Sequence, residues 1–320
     1  MTYDKTILVT GGAGFIGSNF LNTMVVKYPT YLFVNFDLLT YAANLENICV
    51  AHLPNYKFVA GDIRDLPALE EVWATYAPTH IIHFAAESHV DNSITNPSVF
   101  IETNVNGTHN LLLLANKHGI KRFHHISTDE VYGSLLADAP ASTEADAIAP
   151  NSPYSASKAS SDLLVRSYHH TFGLNTVTTR ASNNYGPNQH EEKLIPRFIT
   201  NLLAGKKVPL YGNGLNVRDW IYVGDHVLGI DRVFHDGVSG EIYNLGGGNE
   251  ITNIEITKKL IALAGLGEDR IEHVADRLGH DIRYALNSSK AEHELGWKPQ
   301  KSFGVGLDET FQYYRRLVRA

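Results

Sequence analysis

Four residues in this sequence have the types and spacing that acid–base chemistry needs. In "SPYSASK", Tyr154 and Lys158 stand four positions apart. On a helix that spacing puts a phenol and an ammonium on one face. A free tyrosine ionises near pH 10, so a phenolate at neutral pH needs a shift of about 3 units, roughly 4 kcal/mol. One cation about 4 Å away, at an effective dielectric near 20, supplies roughly that. A lowered phenol pKa is therefore expected. The second pair is Asp129 and Glu130, adjacent in "RFHHISTDEVYG". Neighbouring carboxyl groups can hold separated pKa values and act as acid and base. Thr128, just before them, could donate a hydrogen bond to a substrate oxygen. Both pairs also have plain structural readings. Exposed Tyr/Lys pairs are common on helices, and Ser127-x-x-Glu130 is a capping box whose first turn favours acids.

Such pairs do chemistry only if the fold gathers them. Short β-branched runs alternate with longer amphipathic segments through the first half. Strands are expected at Lys5 to Thr10, Tyr31 to Phe36, Tyr56 to Val59, His80 to Phe84, Arg122 to Ile126 and Asn175 to Thr179. Helices are expected at Phe15 to Lys27, Asp65 to Tyr76, Pro97 to His118 and Tyr154 to Phe172. This alternation predicts an α/β protein with a Rossmann-type doubly wound parallel sheet covered on both faces. After about residue 186 the rhythm changes to loops, two short strands around "YGNGLN", and helices at Asn253 to Ala264, Ser288 to Leu295 and Gly304 to Val318. The expected organisation is a nucleotide-binding domain over residues 1–186 and a smaller mixed C-terminal substrate domain over 187–320. Segments near 217–250, with a helix at Val223 to His235 and a strand in "EIYNLGGG", are expected to return to the larger domain.

"ILVTGGAGFIGSNF" places Gly12, Gly14 and Gly17 as G-x-G-x-x-G behind Gly11, between a strand and a helix. Glycines there allow a tight turn and let backbone N–H groups meet a pyrophosphate at the helix N-terminus. Phe15 and Ile16 belong to the same loop-to-helix junction. Asp37 ends the second strand, 20 residues after Gly17. An acid there binds the adenosine ribose and repels a 2′-phosphate, which predicts NAD rather than NADP. Leu38 and Thr40 follow it. Asp62 and Ile63, in "GDIRD", could hold the adenine, and Phe84, Ala85 and Ala86, in "FAAES", let backbone lie close to the cofactor. Ligands of such sheets lie at the carboxyl ends of the strands, so these segments and Tyr154 are expected to face one crevice.

The chain has 320 residues, 43% hydrophobic, with a net charge of -7 and no Lys/Arg runs. That argues against nucleic acid and anionic membranes as partners. Cys49 is the single cysteine; it is expected to be a buried small hydrophobe in a cytoplasmic protein. No signal-peptide pattern opens the sequence. Sixteen histidines include the adjacent pairs His124–His125 and His169–His170, but neighbours point different ways and no Cys/His cluster exists, so no metal is expected.

The motifs "TGGAGFIGSNF", "FDLLTYAANLENI", "HFAAESHVDNSI", "ISTDEVYG", "SPYSASKASSD", "RASNNYGPNQ", "EKLIP", "RDWIYV" and "DRLGHDIRY" occur in an order that resembles the dTDP-glucose 4,6-dehydratases. These are extended short-chain dehydrogenase/reductases acting on nucleotide sugars, and the similarity spans essentially the whole chain. "GGAGFIG" and "YxxxK" mark the superfamily; "STDEVYG" with "AAESHVD" is more specific. Leu278 departs from the family's usual "DRPGHD".

The resemblance implies that Tyr154 takes the 4-hydroxyl proton while hydride passes to NAD, with Lys158 steadying it and Thr128 on the C4 oxygen. Glu130 then removes the C5 proton and Asp129 protonates the departing 6-hydroxyl. It further implies Thr103, Ser88 and Asn184 at the cofactor, and Ser88 and His89 at the sugar. Lys193, Arg218 and Arg277 would face the diphosphate, with Leu194, Asn183, Pro209, Tyr211, Asn253, His280 and Tyr284 completing the nucleotide pocket. A homodimer is implied, packed through helices around Asn106–His118 and Tyr154–Phe172. Alternatives are a UDP-glucose 4,6-dehydratase, a nucleotide-sugar 4-epimerase or, from another class, a non-catalytic NAD-binding regulator.

Overall fold

The computed structural model describes residues 2–276 and 279–319; the expectations on Arg277 and Leu278 lie outside the described residues. The first half runs β1 (Lys5–Thr10), α1 (Phe15–Lys27), β2 (Tyr31–Asp37), β3 (Tyr56–Ala60), α2 (Leu66–Tyr76) and β4 (His80–His83). Two short helices, α3 (Val90–Thr95) and α4 (Pro97–Phe100), lead through a π-helical turn at Ile101–Gly107 into α5 (Thr108–Lys117). Then come β5 (Arg122–Thr128), α6 (Pro153–Phe172), β6 (Thr176–Ala181) and β7 (Asn183–Tyr185). The remainder comprises α7 (Leu194–Leu203), β8 (Val208–Tyr211), β9 (Val217–Tyr222), α8 (Val223–Asp236), β10 (Ile242–Leu245) and β11 (Glu250–Thr252). It ends with α9 (Asn253–Leu263), β12 (Ile271–Val274), α10 (Ser289–Leu295) and α11 (Phe303–Arg319).

Seven strands form one parallel sheet in the order β10-β6-β5-β4-β1-β2-β3. Ile7, Leu8 and Val9 of β1 are all buried, as a strand covered on both faces must be. Apolar side chains such as Phe123 and Val177, with no exposed surface, stabilise the sheet by about 1.5–3 kcal/mol each. Chain order reverses between β1 and β4, so a crevice opens beyond their carboxyl ends. β10 extends this sheet beside β6 and α8 packs against α1. β9, by contrast, joins β7 and β11 in a separate three-stranded sheet. A second core of Ile195, Phe198, Ile199, Leu260 and Phe311 gathers α7, α9 and α11.

Three local expectations are corrected. Cys49 is exposed, not buried, because the flanking Ile48 and Val50 take the inward positions. The stretch from Pro97 is not uniform α-helix. Its π-turn carries Asn104 inward, where the amide donates to Glu87 O at 3.0 Å and Ser157 Oγ at 2.8 Å. Gly107 faces Ile63 so closely that a Cβ would lie 2.5 Å from its side chain. The turn after β5 is capped by Thr128, whose hydroxyl accepts from Glu130 N at 3.3 Å, rather than by Ser127.

Candidate active site

Helix α1 begins at Phe15 with no side-chain cap, leaving its first N–H groups for a ligand. The loop before it needs glycine by contact. A Cβ on Gly11, whose φ is +72°, would sit 2.5 Å from Ala85 N, and one on Gly17 would sit 2.3 Å from Gly11 O. Gly14 meets only Gly11 O, at 3.4 Å, so its open side faces the crevice. Asp37 ties this loop to the end of β2, accepting from Ala13 N at 2.9 Å and Leu39 N at 2.8 Å. Burial raises its pKa, against those two hydrogen bonds.

A cavity of about 550 Å³ runs from this loop across the strand ends. Every residue expected at the cofactor lines it: Gly11, Gly14, Phe15, Ile16, Gly17, Asp37, Leu38, Thr40, Asp62, Ile63, Phe84, Ala85, Ala86, Ser88, Thr103, Tyr154, Lys158 and Asn184. The uncapped helix, the glycine cradle and the acid at the end of β2 fit a dinucleotide. Arg64, also on the wall, is held by Asp62 at 2.6 Å. Sequence reasoning overlooked Arg64, Glu87, Gln189 and Glu192 on this wall. They sit in loops, where no period marks an inward side chain.

Thr128, Asp129 and Glu130 line the same cavity as Tyr154 and Lys158. The first three leave the carboxyl end of β5, and the others come from the first turns of α6. That helix is started by a reciprocal Ser152–Ser155 capping box with Pro153 at its first position. Asp129 is 4% exposed. Burial, then the charges of Glu130 and Asp219, hold its carboxyl well above the usual carboxylate range. Asp219 is itself fixed by Gly247 N at 2.9 Å and Asn249 N at 2.7 Å. Thr128 Oγ1 donates to Asp129 Oδ1 at 3.1 Å and accepts from Glu130 N at 3.3 Å.

The expected lowering of the Tyr154 pKa by the chain's own charges is not found. Burial and then Glu130 push the phenol up. Lys158 turns instead to the backbone, its Nζ donating to Ile126 O at 2.8 Å, and burial lowers its pKa to about 8. Behind it lies a buried ion pair that sequence reasoning missed: Arg180 Nε donates to Asp162 Oδ2 at 2.9 Å, with His125 Nε2 3.4 Å from Asp162 Oδ1. "KASSD" carried the one available hint, since Asp162 follows Lys158 by one helical turn.

A second cavity of about 190 Å³ adjoins the first. Ser88, His89, Asn183, Lys193, Leu194, Pro209, Tyr211, Arg218, Asn253 and His280 line it, and Glu130 reaches it too. Lys193 Nζ donates to Ser88 O at 2.9 Å, bridging the two halves of the chain. Tyr284 is not on this wall. It lies under the Arg218 guanidinium, 4.5 Å from ring centroid to Cζ, and bonds Asp281. Arg218 donates to Val217 O and Asp281 O at 2.7 and 3.0 Å.

Fold and site together are those of an extended short-chain dehydrogenase/reductase. A family model described as GDP-mannose 4,6 dehydratase matches residues 8–310. The chain belongs to that family. It is 50% identical over 314 residues to dTDP-glucose 4,6-dehydratase of Streptomyces antibioticus, covering 97% of this chain and 92% of the relative. The crystal structure of DesIV, a dTDP-glucose 4,6-dehydratase of Streptomyces venezuelae with NAD and TYD bound, superposes with a TM-score of 0.94 at 51% identity, covering 97% of each chain. A UDP-glucose 4-epimerase of Thermotoga maritima with UDP-glucose reaches a TM-score of 0.91 at 30% identity, covering 98% of this chain and 99% of that one.

Proposed function

We propose that this protein converts dTDP-glucose to dTDP-4-keto-6-deoxyglucose and water, with NAD regenerated in each turnover. The observation that carries the reading is the acid pair Asp129–Glu130 on the same cavity wall as Tyr154 and Lys158. Oxidation at C4 alone, as in epimerisation, requires no such pair; eliminating water requires an acid and a base together. The dTDP-glucose 4,6-dehydratases among the similar proteins support the same choice.

Bound NAD supplies a reversible hydride acceptor, accepting hydride from C4 and returning it at C6. Tyr154 takes the 4-hydroxyl proton, and Thr128 hydrogen-bonds the C4 oxygen. Lys158, one turn further along α6, holds a positive charge behind the phenol. The C4 ketone acidifies the C5 proton, which Glu130 removes. Asp129 donates a proton to the departing 6-hydroxyl, a role supported by its raised pKa and burial. Glu130 returns its proton to C5 as C6 becomes a methyl group.

Residues Gly11 to Gly17, Asp37 and the remaining cofactor wall would hold NAD, and the second cavity would hold the nucleotide. Lys193 and Arg218 are its cations for the diphosphate, while Tyr284 backs Arg218. On this reading residues 1–186 with α8 and β10 form the NAD domain, and most of 187–320 forms the substrate domain. A homodimer through α5 and α6 is supported by the exposed apolar side chains Leu113, Leu163 and Phe172. A cytoplasmic location belongs to the same reading: the single cysteine leaves no internal disulfide. Among the described residues, no helix is long and apolar enough to cross a membrane.

The test is mass spectrometry of the sugar nucleotide after incubation of the purified protein with NAD and dTDP-glucose, beside UDP-glucose. Loss of one water from dTDP-glucose is expected. An unchanged mass with a new stereochemistry would make it an epimerase, and faster turnover of UDP-glucose would reassign the base.

A further inference from the structure

We propose that His226 is a positioning residue for the cofactor: its ring N–H at Nδ1 fixes the Asn184 side chain so that the amide presents a donor, not an acceptor, to bound NAD. The inference deepens the NAD reading of the large cavity and rests on it. His226 lies in the first turn of α8 and has no exposed surface. β7 and β9 pair in parallel with Asn184 opposite Ile221, and α8 starts directly after β9. That register brings His226 within reach of Asn184, 42 positions earlier in the chain, with Nδ1 2.8 Å from Asn184 Oδ1. Asn184 in turn lines both the cofactor cavity and the adjoining one.

Hydrogen-bond chemistry gives the direction. Asn184 Nδ2 donates to Ser182 O at 2.9 Å. A carbonyl only accepts, so the amide nitrogen faces Ser182 and the amide oxygen faces His226. Oδ1 also only accepts, so His226 carries its hydrogen on Nδ1. The other tautomer would set two lone pairs against each other and bury an N–H at Nε2, which has no hydrogen-bond partner among the described residues. Burial lowers the ring's pKa to about 3, so at neutral pH it stays uncharged with a single N–H. A flip of the Asn184 amide would break both bonds and oppose Oδ1 to Ser182 O. The backbone here is held as well, since Gln189 Nε2 donates to Asn184 O at 2.9 Å. Asn184 Nδ2 has a second hydrogen, and that one is left for an acceptor atom of the ligand.

The experiment is calorimetric titration of cofactor-free protein with NAD, for the wild type, Asn184→Ala, His226→Phe, His226→Asn and the double variant of Asn184→Ala with His226→Phe. His226→Phe keeps a ring but removes the donor. It is expected to weaken NAD binding by about five- to tenfold, as Asn184→Ala does. His226→Asn places an amide nitrogen near where Nδ1 stood and is expected to restore affinity to within about twofold of the wild type. In the Asn184→Ala background, His226→Phe is expected to weaken binding no further. Equal weakening by His226→Phe in both backgrounds overturns the proposal and leaves His226 a packing residue. Wild-type affinity in either His226→Phe or Asn184→Ala overturns it too. Nitrogen NMR of histidine-labelled wild type adds a reading independent of binding: the ring lost in His226→Asn should be the Nδ1–H tautomer, and an Nε2–H tautomer overturns the proposal. A wild type that binds no NAD overturns the cofactor reading, and the positioning role falls with it; a wild type that binds NAD with an affinity indifferent to His226 overturns the positioning role alone.

Discussion

Lys158 on α6 donates 2.8 Å to the backbone carbonyl of Ile126 on β5. This bond fastens the helix that carries Tyr154 to the strand that ends at Thr128 and leads into Asp129 and Glu130. It also holds an ammonium in an interior that opposes its charge.

Burial brings the Lys158 pKa from 10.5 to about 8. Between those values the unfolded chain binds more protons than the folded one, so this group's contribution to stability rises with pH across the window. Wild-type stability is expected to gain up to roughly 3 kcal/mol relative to Lys158→Met as pH climbs from 8 to 10.5. Urea denaturation of both proteins at a series of pH values measures it. Parallel curves would refute the assignment.

For Asp129 the sign is opposite. Its folded pKa is raised above the unfolded value by burial and by Glu130, so stability is lost as pH rises from the unfolded value toward the folded one. Asp129→Asn should therefore be more stable than the wild type at neutral pH, with the gain vanishing near pH 4, as read by thermal unfolding at both. Turnover should fall by about two to four orders of magnitude in Asp129→Asn and in Glu130→Gln. Both variants should still oxidise C4, so a 4-keto-hexose nucleotide should be trapped by borodeuteride.

Arg180 and Asp162 meet at 2.9 Å, each almost wholly buried. Burial works to raise the Asp162 pKa, but His125 and Arg180 together bring it down to about 2. Its stabilising contribution is complete above the unfolded value and disappears as pH falls from about 4 through about 2. Asp162→Asn leaves a buried guanidinium uncompensated and should cost about 3–5 kcal/mol at pH 7. Chemical denaturation checks this; a loss below about 1 kcal/mol would mean that Arg180 finds another partner.

The cofactor loop separates two kinds of glycine. Gly17→Ala puts a methyl 2.3 Å from Gly11 O and should destabilise the fold outright. Gly14→Ala meets nothing nearer than 3.4 Å within the protein, yet its methyl enters the cavity. It should keep its thermal midpoint while NAD binding weakens by about tenfold or more, the equivalent of one lost hydrogen bond to a charged group. Calorimetric titration beside thermal unfolding distinguishes the two.

Much of this was legible in one dimension because its causes are local. A β-branched run, a glycine-rich turn and a 3.6-residue period act over neighbouring residues. The βα units of the first half and the roles proposed for Gly14, Asp37, Tyr154 and Lys158 could therefore be read directly. Local signals also misled where two were in competition. "ISTDE" offers two capping hydroxyls, and only the strand's end selects Thr128 over Ser127. Cys49 stands between Ile48 and Val50, and nothing in composition says which of the three faces out.

The sequence alone determined the parallel α/β order, the glycine-rich turn after β1 and the presence of both an acid pair and a Tyr–Lys pair, since propensity and spacing are properties of short segments. The tertiary structure alone decided that these pairs share one wall, that Thr128 bonds Asp129, that Arg180 neutralises Asp162 and that Tyr284 lies behind Arg218. Charge and hydrogen bonding act through space, and β5, α6 and β6 bring within a few ångströms residues that the chain separates by tens of positions.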